Sequence, residues 1–109
     1  GALDVVREFN DVRDVAKIIC EIMKSAPTDH KINLSSGRGV SLRKVLEIIS
    51  QLSGHTPKIA VNPDFIREND PKSLVGDPAY LYAYTGCQFE YSIYDTLDFM
   101  WHSKNTNLQ

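Results

Sequence analysis

An α/β fold of the order β-α-β-α-β-α-α is predicted by three observations. Four stretches carry apolar residues at helical spacing, three short stretches between them alternate apolar and polar residues, and caps, prolines and glycines punctuate the junctions. The first strand falls on residues 5–10. Asp11 then stands where an N-cap belongs, and Val12, Val15, Ile18, Ile19, Ile22 and Met23 follow at helical spacing, so 11–25 reads as a helix that Pro27 helps to end. A second strand falls on 31–35, with Ile32 and Leu34 inward. Ser41 caps the next helix, whose Leu42, Val45, Leu46, Ile49 and Leu52 share a face, and Ser53-Gly54 stops it, with Gly54 as the left-handed residue. The third strand is 58–62, with Ile59 and Val61 inward. Asp77 caps a short helix over 78–85, Pro78 taking its first position and Gly86 following its end. Ser92 with Asp95 three residues on is a near capping box, and Ile93, Leu97, Met100 and Trp101 line the last helix, which is expected to fade near Lys104. Three strands make a thin sheet whose edges need a cover, so part of the fold is expected to lie outside this chain.

Composition narrows the function classes. A net charge of −2 with no run of Lys or Arg argues against a nucleic-acid or membrane-surface partner. No apolar stretch approaches the roughly 18 to 20 residues that span a bilayer, and no charged-then-apolar leader opens the chain. Two cysteines, Cys20 and Cys87, are too few for a disulfide scaffold, so a reducing, cytoplasmic setting is expected. His30, His55 and His102 are too scattered to suggest a metal site. Ser35-Ser36-Gly37-Arg38-Gly39 lacks the third glycine of a dinucleotide fingerprint and reads as a tight polar turn. None of the five tyrosines has a lysine four residues later, and no Ser-His or Cys-His constellation is present.

The most informative stretch runs from Phe65 to Pro78, where Arg67 and Asp70 stand three residues apart ahead of a capped helix. An arginine fork takes two phosphate oxygens at once, and a nearby carboxylate accepts both vicinal hydroxyls of a sugar, so the pair suits a nucleotide-sugar; a solvated ion pair is the plain alternative. Alternation also places Arg7 on the face of Val5 and Phe9, holding a charge against an apolar wall. Either an anion meets it, or its head reaches solvent or pairs with Asp11 or Asp14.

Arg7-Glu8-Phe9 with Val12-Arg13-Asp14-Val15, Ile32-Asn33-Leu34-Ser35-Ser36-Gly37 with Ser41-Leu42, and Arg67 to Asp70 with Leu74-Val75-Gly76-Asp77 resemble the closing third of the extended short-chain dehydrogenase/reductases, the NAD-dependent epimerase/dehydratase family. Within it the chain is most similar to the GDP-mannose 4,6-dehydratase and GDP-4-dehydro-6-deoxy-mannose reductase branch. The resemblance implies that the Rossmann layer binding NAD or NADP, and the catalytic Tyr-x-x-x-Lys, lie on a part not included here, so that this piece holds no cofactor, carries no catalytic residue and is inactive alone. It implies that 32–36 is the last parallel strand of that Rossmann sheet, that 1–102 forms the nucleotide-sugar-binding domain, and that 103–109 is a polar tail. It places the diphosphate-binding arginines on Arg7 and Arg67 and the ribose-binding acid on Asp70, with Asn69 a neighbouring possibility. A GDP-sugar and the chain's own Rossmann half are the implied partners, and the bare surface left on the piece is expected to self-associate. The chain departs from the family pattern at Glu8, where Asp is usual, at Glu68, where Pro is usual, and at Cys87, where Trp is usual. The alternative is a free-standing, non-catalytic interaction or regulatory module of the same fold that pairs through its exposed sheet edge.

Overall fold

The computed structural model describes residues 2–25 and 31–106, the side chains of Ser25 and of 104–106 excepted. The elements run β1 (Val6–Glu8), α1 (Val12–Ser25), β2 (Gly39–Ser41), α2 (Leu42–Ser53), a single 3-10 turn (Pro63–Phe65), β3 (Ser73–Leu74), α3 (Ala79–Thr85) and α4 (Ile93–Thr106). The sheet order is β2-β1-β3. β1 pairs antiparallel with β2, setting Arg7 opposite Val40, and parallel with β3, setting Arg7 beside Leu74.

The mixed α/β class and the order of strands and helices are as the sequence predicts, but within this chain the partners of β1 are two other short segments. Residues 31–35 have no ladder partner among the described residues. Their alternation is nonetheless real, because Ile32 and Leu34 pack against the buried core. Residues 58–62 are likewise not a strand; Ile59 and Val61 both stay exposed, so the pattern has no face to bury. The true partners of β1 are pieces of three and two residues, too short for alternation to register. The first strand is trimmed from 5–10 to Val6–Glu8.

Helix ends follow local chemistry closely. Ser41 accepts a hydrogen bond from the Lys44 amide at 3.1 Å, and Gly54 closes α2 in the left-handed region at φ 69° with its amide on the Ser50 carbonyl. α3 begins at Ala79 rather than Pro78, and the Asp77 carboxylate caps it by accepting from the Ala79 amide at 2.9 Å. Ser92 and Asp95 exchange hydrogen bonds at 2.9 and 3.1 Å, the reciprocal box that opens α4. That helix runs to Thr106, two residues past Lys104, where the sequence predicts it to fade. Pro27, His30 and the end of the polar tail lie outside the described residues.

The core is small. Ile18 of α1, Leu81 of α3 and Phe89 form its centre, flanked by Val15, Ile22, Ile32, Leu34 and Cys87. The radius of gyration is 16.7 Å, against about 13 Å for a compact domain of this length, and the molecule is a slab of 48 × 43 × 18 Å. A slab so thin leaves apolar side chains outside: Val12, Ile19 and Met23 of α1, and Phe65, Ile66 and Leu74 of the long connection, are all exposed.

Candidate functional site

β1 and the 66–74 segment are 60 residues apart in sequence and are brought together by parallel pairing, with the Val6 amide donating to the Lys72 carbonyl at 2.7 Å. Just before β3 the chain turns tightly, the Asp70 amide donating to the Arg67 carbonyl at 3.2 Å. The turn sets Asp70 against β1. Arg7 Nη2 donates to Asp70 Oδ1 at 2.8 Å, and Nη1 donates to the carbonyls of Pro71 at 2.9 Å and Val6 at 2.8 Å. Two of the three residues assigned from the sequence, Arg7 and Asp70, are therefore in direct contact. Arg67 is not drawn in: it is exposed and its side chain makes no hydrogen bond or ion pair among the described residues. The pairing of Arg7 with Asp11 or Asp14 does not occur, because both aspartates are buried with other partners.

A hollow of about 350 Å³ opens beside Arg7, lined also by Asn10, Leu34, Leu74 and Val75; Arg67 and Asp70 stand outside its lining. A larger one, about 520 Å³, lies between the Ser35–Arg38 turn, the start of α3 and Cys87-Gln88-Phe89. Sequence reasoning missed this cleft. Its only trace there is the Ser-Ser-Gly-Arg-Gly run, read as a polar turn.

Glu8 joins the two hollows. Its Oε1 accepts from the Ser36 amide at 2.6 Å and the Ser36 hydroxyl at 2.9 Å, and its Oε2 accepts from the Ser35 hydroxyl at 2.6 Å and the Gly76 amide at 2.6 Å. Burial alone would raise the pKa of this carboxyl; donation from Ser35, Gly76 and Ser36 outweighs it and brings the value from 4.5 down to about 2. A side chain at Gly76 would meet Ser35 Oγ at 2.5 Å, so the close approach requires glycine. One carboxylate thus fixes both the serine turn and the strand leading into α3.

A second acidic node holds α1 against α4. Asp11 accepts from the Arg13 amide at 2.8 Å, from Arg13 Nε at 3.0 Å and Nη2 at 2.9 Å, and from the Thr96 hydroxyl at 2.8 Å. The Arg13 hydrogen bond is the main cause of an Asp11 pKa of about 2, burial opposing it. The Arg13 guanidinium lies 3.8 Å from the Tyr91 ring centre and 4.0 Å from that of Phe99. Asp14 accepts from the amides of Glu90 and Tyr91 at 3.1 and 3.0 Å. The Val-Arg-Asp-Val stretch is therefore a clamp on the fold. No group of three or more His, Cys, Asp or Glu suited to a metal occurs among the described residues, and no described helix is long and apolar enough to cross a membrane.

No family model matches the chain. It is 29% identical over 92 residues to the GDP-6-deoxy-D-talose 4-dehydrogenase of Aggregatibacter actinomycetemcomitans, covering 84% of this chain and 31% of that protein. It is 26% identical over 97 residues to the GDP-6-deoxy-D-mannose reductase of Pseudomonas aeruginosa, covering 89% of this chain and 32% of that one. Among solved structures, a Burkholderia cenocepacia protein described as an epimerase superposes with a TM-score of 0.91 at 33% identity, over 97% of this chain and 35% of its own. The UDP-glucose 4-epimerase of Thermotoga maritima shares the fold, with a TM-score of 0.87 at 18% identity, over 100% of this chain and 34% of its own. The chain spans about a third of the length of the relatives it matches. In sequence it is similar to nucleotide-sugar dehydrogenases, reductases and epimerases, and in fold its neighbours are extended short-chain dehydrogenase/reductases.

Proposed function

We propose that the chain is the part of an NAD(P)-dependent nucleotide-sugar enzyme that grips the substrate, with Arg7 and Arg67 on the diphosphate and Asp70 on the ribose. The observation that carries this reading is the meeting of Arg7 and Asp70, 63 residues apart, with Arg7 also lining a hollow. Clamping a diphosphate far from the reacting sugar carbon would orient the hexose against a nicotinamide held on the remaining two thirds of the enzyme, which also supplies the Tyr-x-x-x-Lys. The names of two relatives favour a GDP-sugar, of the GDP-mannose dehydratase or GDP-deoxy-mannose reductase type. Several structural neighbours were solved with NAD or NADPH, in line with a cofactor bound outside this chain. A reducing, cytoplasmic setting, in keeping with only two cysteines, belongs to the same reading.

Calorimetric titration of GDP- and UDP-sugars into the polypeptide that the natural gene encodes tests the reading. GDP-sugars are expected to bind more tightly. Arg67→Ala should cost about 1.5 to 3 kcal/mol of that binding, the worth of hydrogen bonds to charged groups; unchanged affinity removes Arg67 from the site. The exposed stripe of Val12, Ile19 and Met23 is then surface that the rest of the enzyme covers. The 109-residue chain alone should self-associate through it, and light scattering that finds only monomer at high concentration contradicts this.

A further inference from the structure

We propose that Asp70 is a built-in competitor for the anion at Arg7, so that the site rejects bare anions and favours an anion that carries neighbouring hydroxyls, as a nucleoside diphosphate does. This rests on the reading of Arg7 and Asp70 as ligand contacts. Without ligand, three of the five N–H groups of the Arg7 guanidinium are committed, to Asp70 Oδ1 and to the Pro71 and Val6 carbonyls. The carboxylate therefore occupies the place on Nη2 that a phosphoryl oxygen would take. It is free to leave that place: the Asp70 side chain is 45% exposed against 24% for Arg7, and every residue from 66 to 71 is exposed, so no buried side chain holds the turn around Asp70.

What differs between ligands is the fate of the displaced carboxylate. Pyrophosphate leaves it unpaired beside added negative charge. A ligand with vicinal hydroxyls offers it two O–H donors in exchange for the guanidinium, so the ion pair lost is replaced by hydrogen bonds to a charged acceptor. Arg7 supplies the attraction, and Asp70 makes it conditional.

The test compares wild type and Asp70→Asn for binding inorganic pyrophosphate and GDP. Asp70 sits in an exposed turn, so the substitution should leave the circular dichroism spectrum unchanged. Removing an exposed ion pair should tighten pyrophosphate binding by about two- to fivefold. The preference for GDP over pyrophosphate should shrink by roughly tenfold or more, because the hydroxyls lose a charged acceptor. Pyrophosphate binding that is unchanged or weaker in Asp70→Asn overturns the inference, whatever GDP does. If wild type binds GDP no better than pyrophosphate, the nucleotide-sugar reading fails instead, while a gain for pyrophosphate in Asp70→Asn still reports competition at Arg7. Arg7→Ala in both backgrounds should abolish the pyrophosphate response; a response that survives it places the anion elsewhere and overturns the inference.

Discussion

Truncating Leu81 to alanine should lower the unfolding free energy by about 3 kcal/mol, within the range found for buried leucines. Leu81 is 1% exposed and is the one fully buried residue of α3, where it meets Ile18 and Phe89. α3 has seven residues, too few to stand as a helix without packing, so its place in the fold depends on this side chain. Only four apolar residues of the described chain are buried, which puts total stability toward the low end of the usual 5 to 15 kcal/mol or so. A loss of that size would leave a measurable unfolded fraction at 25 °C. Urea titration followed by the fluorescence of Trp101, the single tryptophan, reads the effect as a lower midpoint at unchanged slope. The same truncation should loosen the cleft wall formed by Ala79 and Tyr82. A loss below about 1 kcal/mol would mean that the site collapses freely around the smaller side chain, contrary to a close-packed core.

The helices were readable because their information is local. Ser41 and Gly54, Gly86, and the Ser92–Asp95 box each act within four residues, and each does what its chemistry requires. The strands were not, because β2 and β3 are defined by what β1 offers them rather than by a pattern of their own. Residues 58–62 show the converse failure, an alternating stretch with no surface to lie on. The site divides along the same line. Arg7 and Asp70 were each identifiable from residue type and family resemblance, but their contact depends on a parallel pairing that no spacing announces. Asp11 and Asp14 looked available to Arg7, whereas Arg13, Thr96 and the 90–91 backbone hold them, partners contributed mostly by the far end of the chain. Glu8 registered in the sequence only as a departure from aspartate, and its role needs Ser35, Ser36 and Gly76 to be in place.

Glu8→Gln, which keeps the size of that side chain and removes its charge, is therefore expected to cost about 2 to 3 kcal/mol at neutral pH. The reason is geometric. Two of the donors are backbone amides that cannot turn away, Ser36 N–H on Oε1 and Gly76 N–H on Oε2. Whichever way the glutamine amide is placed, its NH₂ faces one of them, and a donor set against a donor leaves both unsatisfied. The pH dependence carries the same signature. With a folded pKa of about 2 against 4.5 unfolded, the unfolded chain binds the proton first as pH falls. The contribution of Glu8 is thus complete above about 4.5 and is lost as pH drops from there toward 2. Allowing for its partial exposure to solvent, the loss is on the order of 2 kcal/mol. Asp11 titrates low as well, so wild-type acid unfolding mixes the two. The difference between the wild-type and Glu8→Gln stability curves isolates Glu8, since Asp11 remains in both. That difference should be flat from pH 7 to about 5 and shrink toward zero below it. A difference that holds constant down to pH 2.5 would show that the carboxylate charge is not what binds the serine turn to the strand before α3, and that the four short contacts act through shape alone.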